Sequence, residues 1–213
     1  MTTTTTPSTV PGEWDRRLTS RAERSAAGKA LRSKAPRSSH AAWAPDPERP
    51  DPLRLLEEAN RTRMQQLVPL RFGRMSLSPF AFYRGSADIM AYDLAKTPVS
   101  GISAQLCGDA HLSNFGVYAS PERRQVFDVN DFDETLAGPW EWDVKRLAAS
   151  VILAGRQNGY SAQESKQAVL RGMQRYREQM QQFAEMNHLD AYLLKTWGTH
   201  ICTRRLRVKT GCR

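Results

Sequence analysis

The sequence predicts a mixed α/β fold of the α+β kind, with several helices and a small β-hairpin that carries acidic loops. Short apolar strands alternate with turn residues between positions 102 and 129. Helix signals flank this region on both sides. The 213 residues, 40% of them hydrophobic and 25% charged, have the composition of a globular chain. We therefore expect one domain of moderate size with tails.

Apolar residues at helical spacing predict three helices around the strands. The first begins at Pro52, behind the N-cap Asp51, and is expected to end at Pro69. A short helix is predicted at 87–96 and a longer one at 142–158.

A further helix, which starts after Ser161, has the clearest signal. Ser161 and Glu164 form an S-x-x-E capping box. Apolar residues then recur at steps of three and four, which is typical of a core-facing stripe. The stripe consists of Val169, Met173, Tyr176, Met180 and Phe183.

Three strands are predicted between these helices. The first covers residues 102–107, and the segment VYASPERRQVFDV reads as two more, joined by a Pro-Glu-Arg turn. GDAHLSNFG forms a loop before the second strand, and NDFDE follows the third. Gly138-Pro139 is predicted to be a turn.

The two ends are expected to lie outside the domain, which we place at residues 51–194. Residues 1–50 are rich in Thr, Ser, Pro, Ala and Arg, which predicts a largely disordered basic tail. Residues 195–213 contain no acidic residue, and their apolar residues do not recur at helical or strand spacing. This favours an irregular basic tail, truncated or frame-shifted.

Composition disfavours several classes of protein. The net charge is +9, but much of the excess lies in the two ends, which favours solvated tails over a nucleic-acid role. Cys107, Cys202 and Cys212 show no C-x-x-C spacing, so a disulfide framework or zinc site is not expected. No apolar run reaches the length of a membrane helix and the N-terminus resembles no secretory signal. We expect a cytoplasmic protein without a membrane partner.

The acidic loops carry residues that phosphoryl transfer requires. Such a reaction needs a cation clamp for the phosphate oxygens and a carboxylate that orients the attacking hydroxyl. Asp109 and Asn114 are five residues apart, as the base and a metal ligand are in kinase-type sites. Asp131 follows the apolar strand at 126–129, where the second metal ligand belongs.

Acidic residues also crowd the stretch around Asp131. Like charges raise each other's pKa unless a cation offsets them. We therefore predict that Asn114, Asp131 and Asp133 hold Mg²⁺, which prefers oxygen ligands. The alternative is that they are ordinary turn residues, since Asp and Asn favour loops and caps.

GDAHLSN and the helix start DVKRLA resemble the Gly-Asp-x-His-x-x-Asn loop and the Asp-Leu-Ala helix start of aminoglycoside- and choline-kinase-like proteins. The resemblance implies a protein-kinase-like catalytic-lobe fragment. It implies that Asp109 is the catalytic base and that Asn114 and Asp131 hold the metal. It also implies that His111, in the catalytic group, and Asp143 support the loop.

A wider resemblance is to the bacterial family called domain of unknown function 2252. It rests on RFGRMSLSPFAFYRGSA, LCGDAHLSNFGVYASPE, FDVNDFDETLAGPWEWDVKRLAAS and PRSSHAAWAPDPERPDP, over residues 35–185. Members of that family look longer, with a glycine-rich segment and a Lys-Glu-Ala strand that resemble a phosphate loop and its lysine. This sequence contains no G-x-G-x-x-G. The nucleotide-covering half of a kinase is therefore not expected here.

Arg84, in the segment FYRG, is a candidate for binding a nucleotide phosphate through its planar guanidinium. A structural ion pair with one of the acids is the alternative.

Three functions follow from these residues. The first is a kinase-like phosphotransferase, or an inactive fragment of one, that binds Mg²⁺ and ATP or another nucleoside triphosphate with a small-molecule substrate. The second is a metal-dependent phosphoester hydrolase, with His111 and the nearby carboxylates around two metal ions. The third is a nucleic-acid-binding module that uses the basic tails, for which the aromatic- and arginine-rich stretch Arg71–Arg84 is the best support.

Overall fold

The structure is a computed structural model that describes residues 20–121, 123, 125–187 and 189. The chain forms two units. The described residues up to Ala44 group with Thr97–Gly101, and Pro45–Lys96 group with the described residues from Ile102 onward. The predicted C-terminal tail at 195–213 lies outside the described residues.

The smaller unit contains one α-helix, α1 (Arg21–Ala30), among its described residues. Ser20 caps it: the Ser20 hydroxyl accepts from Glu23 N–H, and the Glu23 carboxylate accepts from Ser20 N–H at 2.7 Å. This is an S-x-x-E capping box. The box lies in a segment that was predicted to be largely disordered because of its composition. The local helix signal of the capping box was therefore missed.

Four helices precede the strands of the larger unit: α2 (Pro52–Asn60), α3 (Val68–Met75), α4 (Pro79–Arg84) and α5 (Ala87–Ala95). The prediction of a single helix that ends at Pro69 is wrong. Pro69 instead lies in the first turn of α3, where the absence of an N–H removes no intrahelical hydrogen bond. The short helix predicted at 87–96 is confirmed as α5.

The strands form two separate antiparallel ribbons in the described part of the chain. The strands are β1 (Ser103–Leu106), β2 (Phe115–Ala119), β3 (Gln125–Val129) and β4 (Leu136–Pro139). β2 pairs with β3 as the predicted hairpin, and β1 pairs with β4.

The prediction of a turn at Gly138-Pro139 is wrong, because both residues belong to β4. Gly138 pairs with Ala104, and Pro139 pairs with Ser103 at the end of the ribbon. Proline is tolerated there because a strand end and an edge need no further ladder donor.

Two long helices complete the larger unit: α6 (Glu141–Gln157) and α7 (Ala162–Glu185). The predicted capping box at the start of α7 is confirmed, since Ser161 N–H donates to the Glu164 carboxylate at 2.9 Å and Glu164 N–H donates back to the Ser161 hydroxyl at 3.2 Å. The two helices pack closely where Gly155 of α6 lies under the side chain of Ser165.

The predicted core-facing stripe of α7 is only partly covered. Val169, Met173 and Phe183 are half-buried, whereas Tyr176 and Met180 remain exposed. Tyr176 stacks on Trp140, with ring centroids 6.3 Å apart. The stripe therefore packs on α6 along one edge and leaves the other edge uncovered by the described residues.

A small apolar core joins the helices before the strands. Leu56 of α2, Met75 of α3 and Ile89 of α5 are buried, and Leu55 and Phe72 pack against them. Leu56 is only 1% exposed. The fold is thus α+β, and no helix formed by the described residues is long and apolar enough to cross a membrane.

Leu56→Ala should lower the free energy of unfolding by about 2–5 kcal/mol, because it removes buried methyl groups and leaves a cavity. Urea unfolding followed by circular dichroism would measure this. Leu53→Ala is the matched control, since Leu53 lies on the same helix and is 57% exposed. Its effect should stay within about 0.5 kcal/mol. Equal effects of the two substitutions would show that the cluster around Leu56 is not a core.

Candidate active site

The pairing of the two ribbons brings the predicted catalytic and acidic loops together. Leu106 pairs with Leu136, and Phe115 pairs with Val129. The β1–β2 loop (residues 107–114) and the β3–β4 loop (residues 130–135) therefore begin and end beside each other. We call these the catalytic loop and the acidic loop. Hydrogen bonding between the loops follows from this register.

The side chain of Asn114 ties the two loops together. Its Nδ2 donates to the carbonyl oxygens of Asp109 and Asp131, at 3.1 Å each. Its Oδ1 accepts from Asp131 N–H at 2.9 Å. Asn114 is buried, so these bonds satisfy an amide that would otherwise be costly to bury. They place the backbones of Asp109 and Asp131 around one side chain.

Close backbone approach makes a second tie between the loops. Gly108 has a φ of +81°, in the left-handed region that favours glycine. A Cβ at this position would collide with the carbonyl oxygen of Glu134. The first residue of the Gly-Asp pair is therefore fixed both by its backbone angle and by the acidic loop that lies against it.

Helix α6 holds the catalytic loop through a polar stripe on one of its faces, formed by Asp143, Arg146 and Ser150. The spacing of three and four residues places these side chains above one another along the helix. The Ser150 hydroxyl accepts from Leu112 N–H at 3.1 Å and donates to the Leu147 carbonyl oxygen at 2.7 Å. Arg146 and Ser150 are among the most buried side chains in the described residues.

Asp143 binds the start of the catalytic loop. Its carboxylate accepts from Cys107 N–H at 2.7 Å and from Gly108 N–H at 3.1 Å. Burial raises the pKa of Asp143 above its ordinary value, and the two N–H donors offset that rise only in part. The geometry is that of a brace, which is the part that the sequence resemblance implied for this residue.

Asp109 lies at the centre of the site, in an ion pair with Arg146. Arg146 Nε donates to Asp109 Oδ1 at 2.6 Å, and the same guanidinium donates to the Tyr83 carbonyl oxygen at 2.8 Å. The cation also lies over the Tyr83 ring, 4.4 Å from its centroid. With 2% of its side chain exposed, Arg146 is enclosed by α4, α5 and the catalytic loop.

The charge on Asp109 is stabilised despite burial. Burial raises the pKa of the Asp109 carboxyl, but the hydrogen bond with His111 and the Arg146 cation outweigh it, so its pKa lies below the ordinary value. His111 Nε2 is 3.4 Å from Asp109 Oδ2. His111 is buried against Phe80, and its Nδ1 has no hydrogen-bond partner among the described residues.

A cleft of about 1290 Å³ opens beside these loops. Two chain segments line the cleft, one rich in arginine and the other rich in carboxylates. The first segment, residues 62–88, supplies Arg63, Arg71, Arg74 and Arg84, and we call it the arginine segment. The second segment, residues 109–134, supplies Asp109, His111, Asn114, Asp131, Asp133 and Glu134. All the sequence-predicted site residues except Asp143 therefore line one cleft.

Crowding of negative charge in the acidic loop is as the sequence predicted. Burial raises the pKa of Glu134, and the carboxylates of Asp109 and Asp131 raise it further. Arg63 partly offsets this charge, with its guanidinium 3.7 Å from the Glu134 carboxylate. This ion pair links the arginine segment to the acidic loop.

The acidic loop carries oxygen donors of the kind that Mg²⁺ prefers. Asp131 and Asp133 are exposed, and Asp131 Oδ1 accepts from Asp133 N–H at 3.0 Å. Asn114 Oδ1 already accepts from Asp131, so it has one lone pair left for a metal. Magnesium commonly takes one or two carboxylates and completes its shell with phosphates and water. Its binding here stays a prediction.

The described residues contain no group of three or more His, Cys, Asp or Glu side chains arranged to hold a metal ion. A two-metal hydrolase centre built from His111 and the nearby carboxylates needs such a group.

Arg84 lines the cleft and is exposed at the end of α4. In the part of the chain that the structure describes, it forms no ion pair with an acid. The sequence left open whether Arg84 binds a phosphate or an internal carboxylate, and the geometry leaves it available to a ligand.

Sequence reasoning missed two features of the site. One is Arg146, whose signal is its position three residues after Asp143 on the same helix face. The other is the helical alignment of Arg71 and Arg74 within the arginine-rich stretch that the sequence does show. Arg71 and Arg74 are also three residues apart, and α3 was not predicted as a helix, so their shared face could not be seen.

The fold and the cleft define an α+β protein whose site sets a carboxylate-bearing loop pair beside an arginine-rich helical segment. The family model described as "Uncharacterized protein conserved in bacteria (DUF2252)" matches residues 63–207, which is more than half of the chain. The chain belongs to this family, and the family resemblance drawn from the sequence is confirmed. No curated protein and no solved structure matches the chain.

Arg146→Met should lower the free energy of unfolding by about 3 kcal/mol at neutral pH, because it leaves the Asp109 carboxylate buried without its partner. Urea unfolding measures the loss. The double variant Arg146→Met with Asp109→Asn should recover part of it, since the unpaired charge is then gone.

The pH dependence of stability tests whether Arg146 acts through its charge. Because its folded pKa lies below the unfolded value of about 3.9, ionised Asp109 stabilises the fold above that pH. This contribution disappears as the pH falls through the folded pKa. The gap between wild type and Arg146→Met should therefore narrow in acid. A gap that is constant from neutral pH to acid would show that Arg146 acts by packing alone.

Proposed function

We propose that this chain forms the metal- and base-bearing part of a kinase-like phosphotransferase site, which binds Mg²⁺ with a nucleoside triphosphate. The observation that carries the proposal is the Asn114 amide, which holds the backbones of Asp109 and Asp131 together at one cleft. Phosphoryl transfer depends on positioning and charge rather than on covalent chemistry, and a fixed pair of acidic loops supplies both.

Asp109 is the proposed acceptor-orienting carboxylate. It remains ionised because Arg146 and His111 stabilise its charge. A lowered pKa makes it a weak base. That suits a loose transition state, in which the attacking hydroxyl loses its proton late and needs alignment more than deprotonation.

Asp131 is the proposed principal metal ligand, with Asp133 beside it. When bound, Mg²⁺ would neutralise phosphate charge at this position. The metal would also offset the crowded carboxylates, among which Glu134 already has a raised pKa. Arg84, exposed in the same cleft, is placed to bind a phosphate oxygen.

No observation favours the other two functions over this one. The hydrolase needs a cluster of His and carboxylate ligands, which the described residues do not provide. The nucleic-acid hypothesis uses the basic tails, of which residues 195–213 lie outside the described residues, and the stretch Arg71–Arg84, and it stays a prediction.

Asp131→Asn should weaken Mg²⁺-dependent ATP binding by about tenfold or more, because the substitution removes a charged metal ligand while keeping the shape of the side chain. Isothermal titration calorimetry with MgATP measures the effect on the full chain. Asp128→Asn is the matched control, since Asp128 is exposed on β3 and does not line the cleft. The proposal fails if wild type shows no Mg²⁺-dependent binding, or if both substitutions weaken it equally.

Asp109→Asn should leave the affinity for MgATP within about twofold and abolish turnover, since it removes the orienting carboxylate but not the metal ligand. Slow hydrolysis of ATP by water is the readout, because it needs no acceptor. Thermal melting of the variant controls for the loss of the Arg146 ion pair. Full hydrolysis by a folded Asp109→Asn protein would remove Asp109 from the chemistry.

A further inference from the structure

One face of the arginine segment combines cations with exposed apolar side chains. Helical spacing of three and four residues aligns Leu67, Leu70, Arg71 and Arg74 along α3, and Leu77 follows in the same direction. All five residues line the cleft. We call this face the α3 stripe.

Two nearby cations are free to meet a ligand. Arg74 and Arg84 are exposed, and neither forms an ion pair with another described residue. Arg71 is anchored instead, since its guanidinium donates to the Gly85 carbonyl oxygen at 2.6 Å. Its Nε is buried and has no hydrogen-bond partner among the described residues.

Four arginines and one acid, Asp88, line this side of the cleft. Burial lowers the pKa of Arg71, and the neighbouring Arg63 lowers it further, whereas three nearby carboxylates partly offset this. Arg63 is engaged with Glu134, so its charge is partly offset. Arg71, Arg74 and Arg84 remain as a group of guanidinium forks, which match the oxygens of a phosphate better than point charges do.

The apolar residues of the stripe are unusually exposed. Leu70 is 53% exposed and Leu77 is 79% exposed, and Leu67 lies beside them. Large apolar side chains that lie together in a cleft mark a ligand-binding surface more often than isolated ones do. Their place beside the arginines indicates a ligand that is anionic at one end and apolar at the other.

We infer that the α3 stripe is a metal-independent binding site for a phosphate group carried on an apolar body. The guanidinium groups of Arg74 and Arg84 hold the phosphate, and Leu67, Leu70 and Leu77 cover the apolar part. The inference rests on the proposed function in placing a phosphorylated ligand in this cleft. It adds a site for that ligand that is independent of Asp131 and of Mg²⁺.

Two kinds of molecule carry this chemistry: a nucleotide, with its base and phosphates, and a phosphorylated acceptor. Titration of the full chain with ADP and with phenyl phosphate, in EDTA at low salt, tests both. We expect at least one probe to bind and Arg74→Gln or Arg84→Gln to weaken its binding about tenfold, because each loses a charge-assisted hydrogen bond. Added salt should weaken binding as well.

Matched controls lie on α7, outside the cleft. Arg171→Gln removes the same charge from an exposed position and should change the affinity by less than about twofold. Leu70→Ser should weaken the binding of the probe, whereas Leu170→Ser should not, although Leu170 is 52% exposed and Leu70 is 53% exposed. All five substituted positions (Leu70, Arg74, Arg84, Leu170 and Arg171) are solvent-exposed, so the variants are expected to fold, which circular dichroism checks.

The outcomes separate this inference from the proposed function. Competition between the probes assigns the stripe to the nucleotide, and simultaneous binding assigns it to a phosphorylated acceptor; both support the site. Asp131→Asn should leave metal-free binding unchanged or stronger, since it removes a negative charge from the cleft. The inference is overturned if neither probe binds wild type in EDTA, or if Arg171→Gln weakens binding as much as Arg74→Gln.

Discussion

The ion pair between Asp109 and Arg146 is the interaction on which the arrangement of the site depends. It buries a full guanidinium, which is costly unless every donor finds a partner. Each guanidinium nitrogen of Arg146 has a contact: Nε with Asp109, one Nη with the Tyr83 carbonyl oxygen and the other with Met90 Sδ, and the cation lies over the Tyr83 ring. The same contacts connect helix α6 to α4 and to the catalytic loop. The charged Asp109 that lines the cleft is thus also part of the local packing.

The cleft divides opposite charges between two chain segments with different structural origins. Except for Asp88 of α5, the carboxylates come from loops that two ribbons hold in register, whereas the arginines come from α3, α4 and the turn before α3. Loops tied at both ends can hold ligands precisely without being long. The helical segment instead offers a periodic face, on which cations and apolar groups alternate. A ligand that bridges the two segments would contact carboxylates on one side and guanidinium groups on the other.

Much of the site could be predicted from the sequence because its signals are local. The spacing of Asp109 and Asn114, and the acids after β3, can be read from neighbouring residues. The fold was predicted as far as the capping box of α7, the short helix α5 and the β2–β3 hairpin, whereas the capping box of α1 was missed. β4 was missed because a Gly-Pro pair resembles a turn, and only its partner β1 makes it a strand. Arg146 was missed because the apolar residues of α6 predict that one face of the helix is buried. The most buried residues of the helix are polar and lie on another face.

The ion pair between Arg63 and Glu134 connects the two sides of the cleft only weakly. It joins the arginine segment to the acidic loop, and both side chains are partly exposed. Pairs of this kind contribute roughly 0–1 kcal/mol and weaken with salt. Breaking the pair therefore costs a free energy comparable with thermal energy. An anion that binds Arg63, or a cation that binds Glu134, can replace the contact at little cost, so the ion pair does not by itself fix the separation of the two segments.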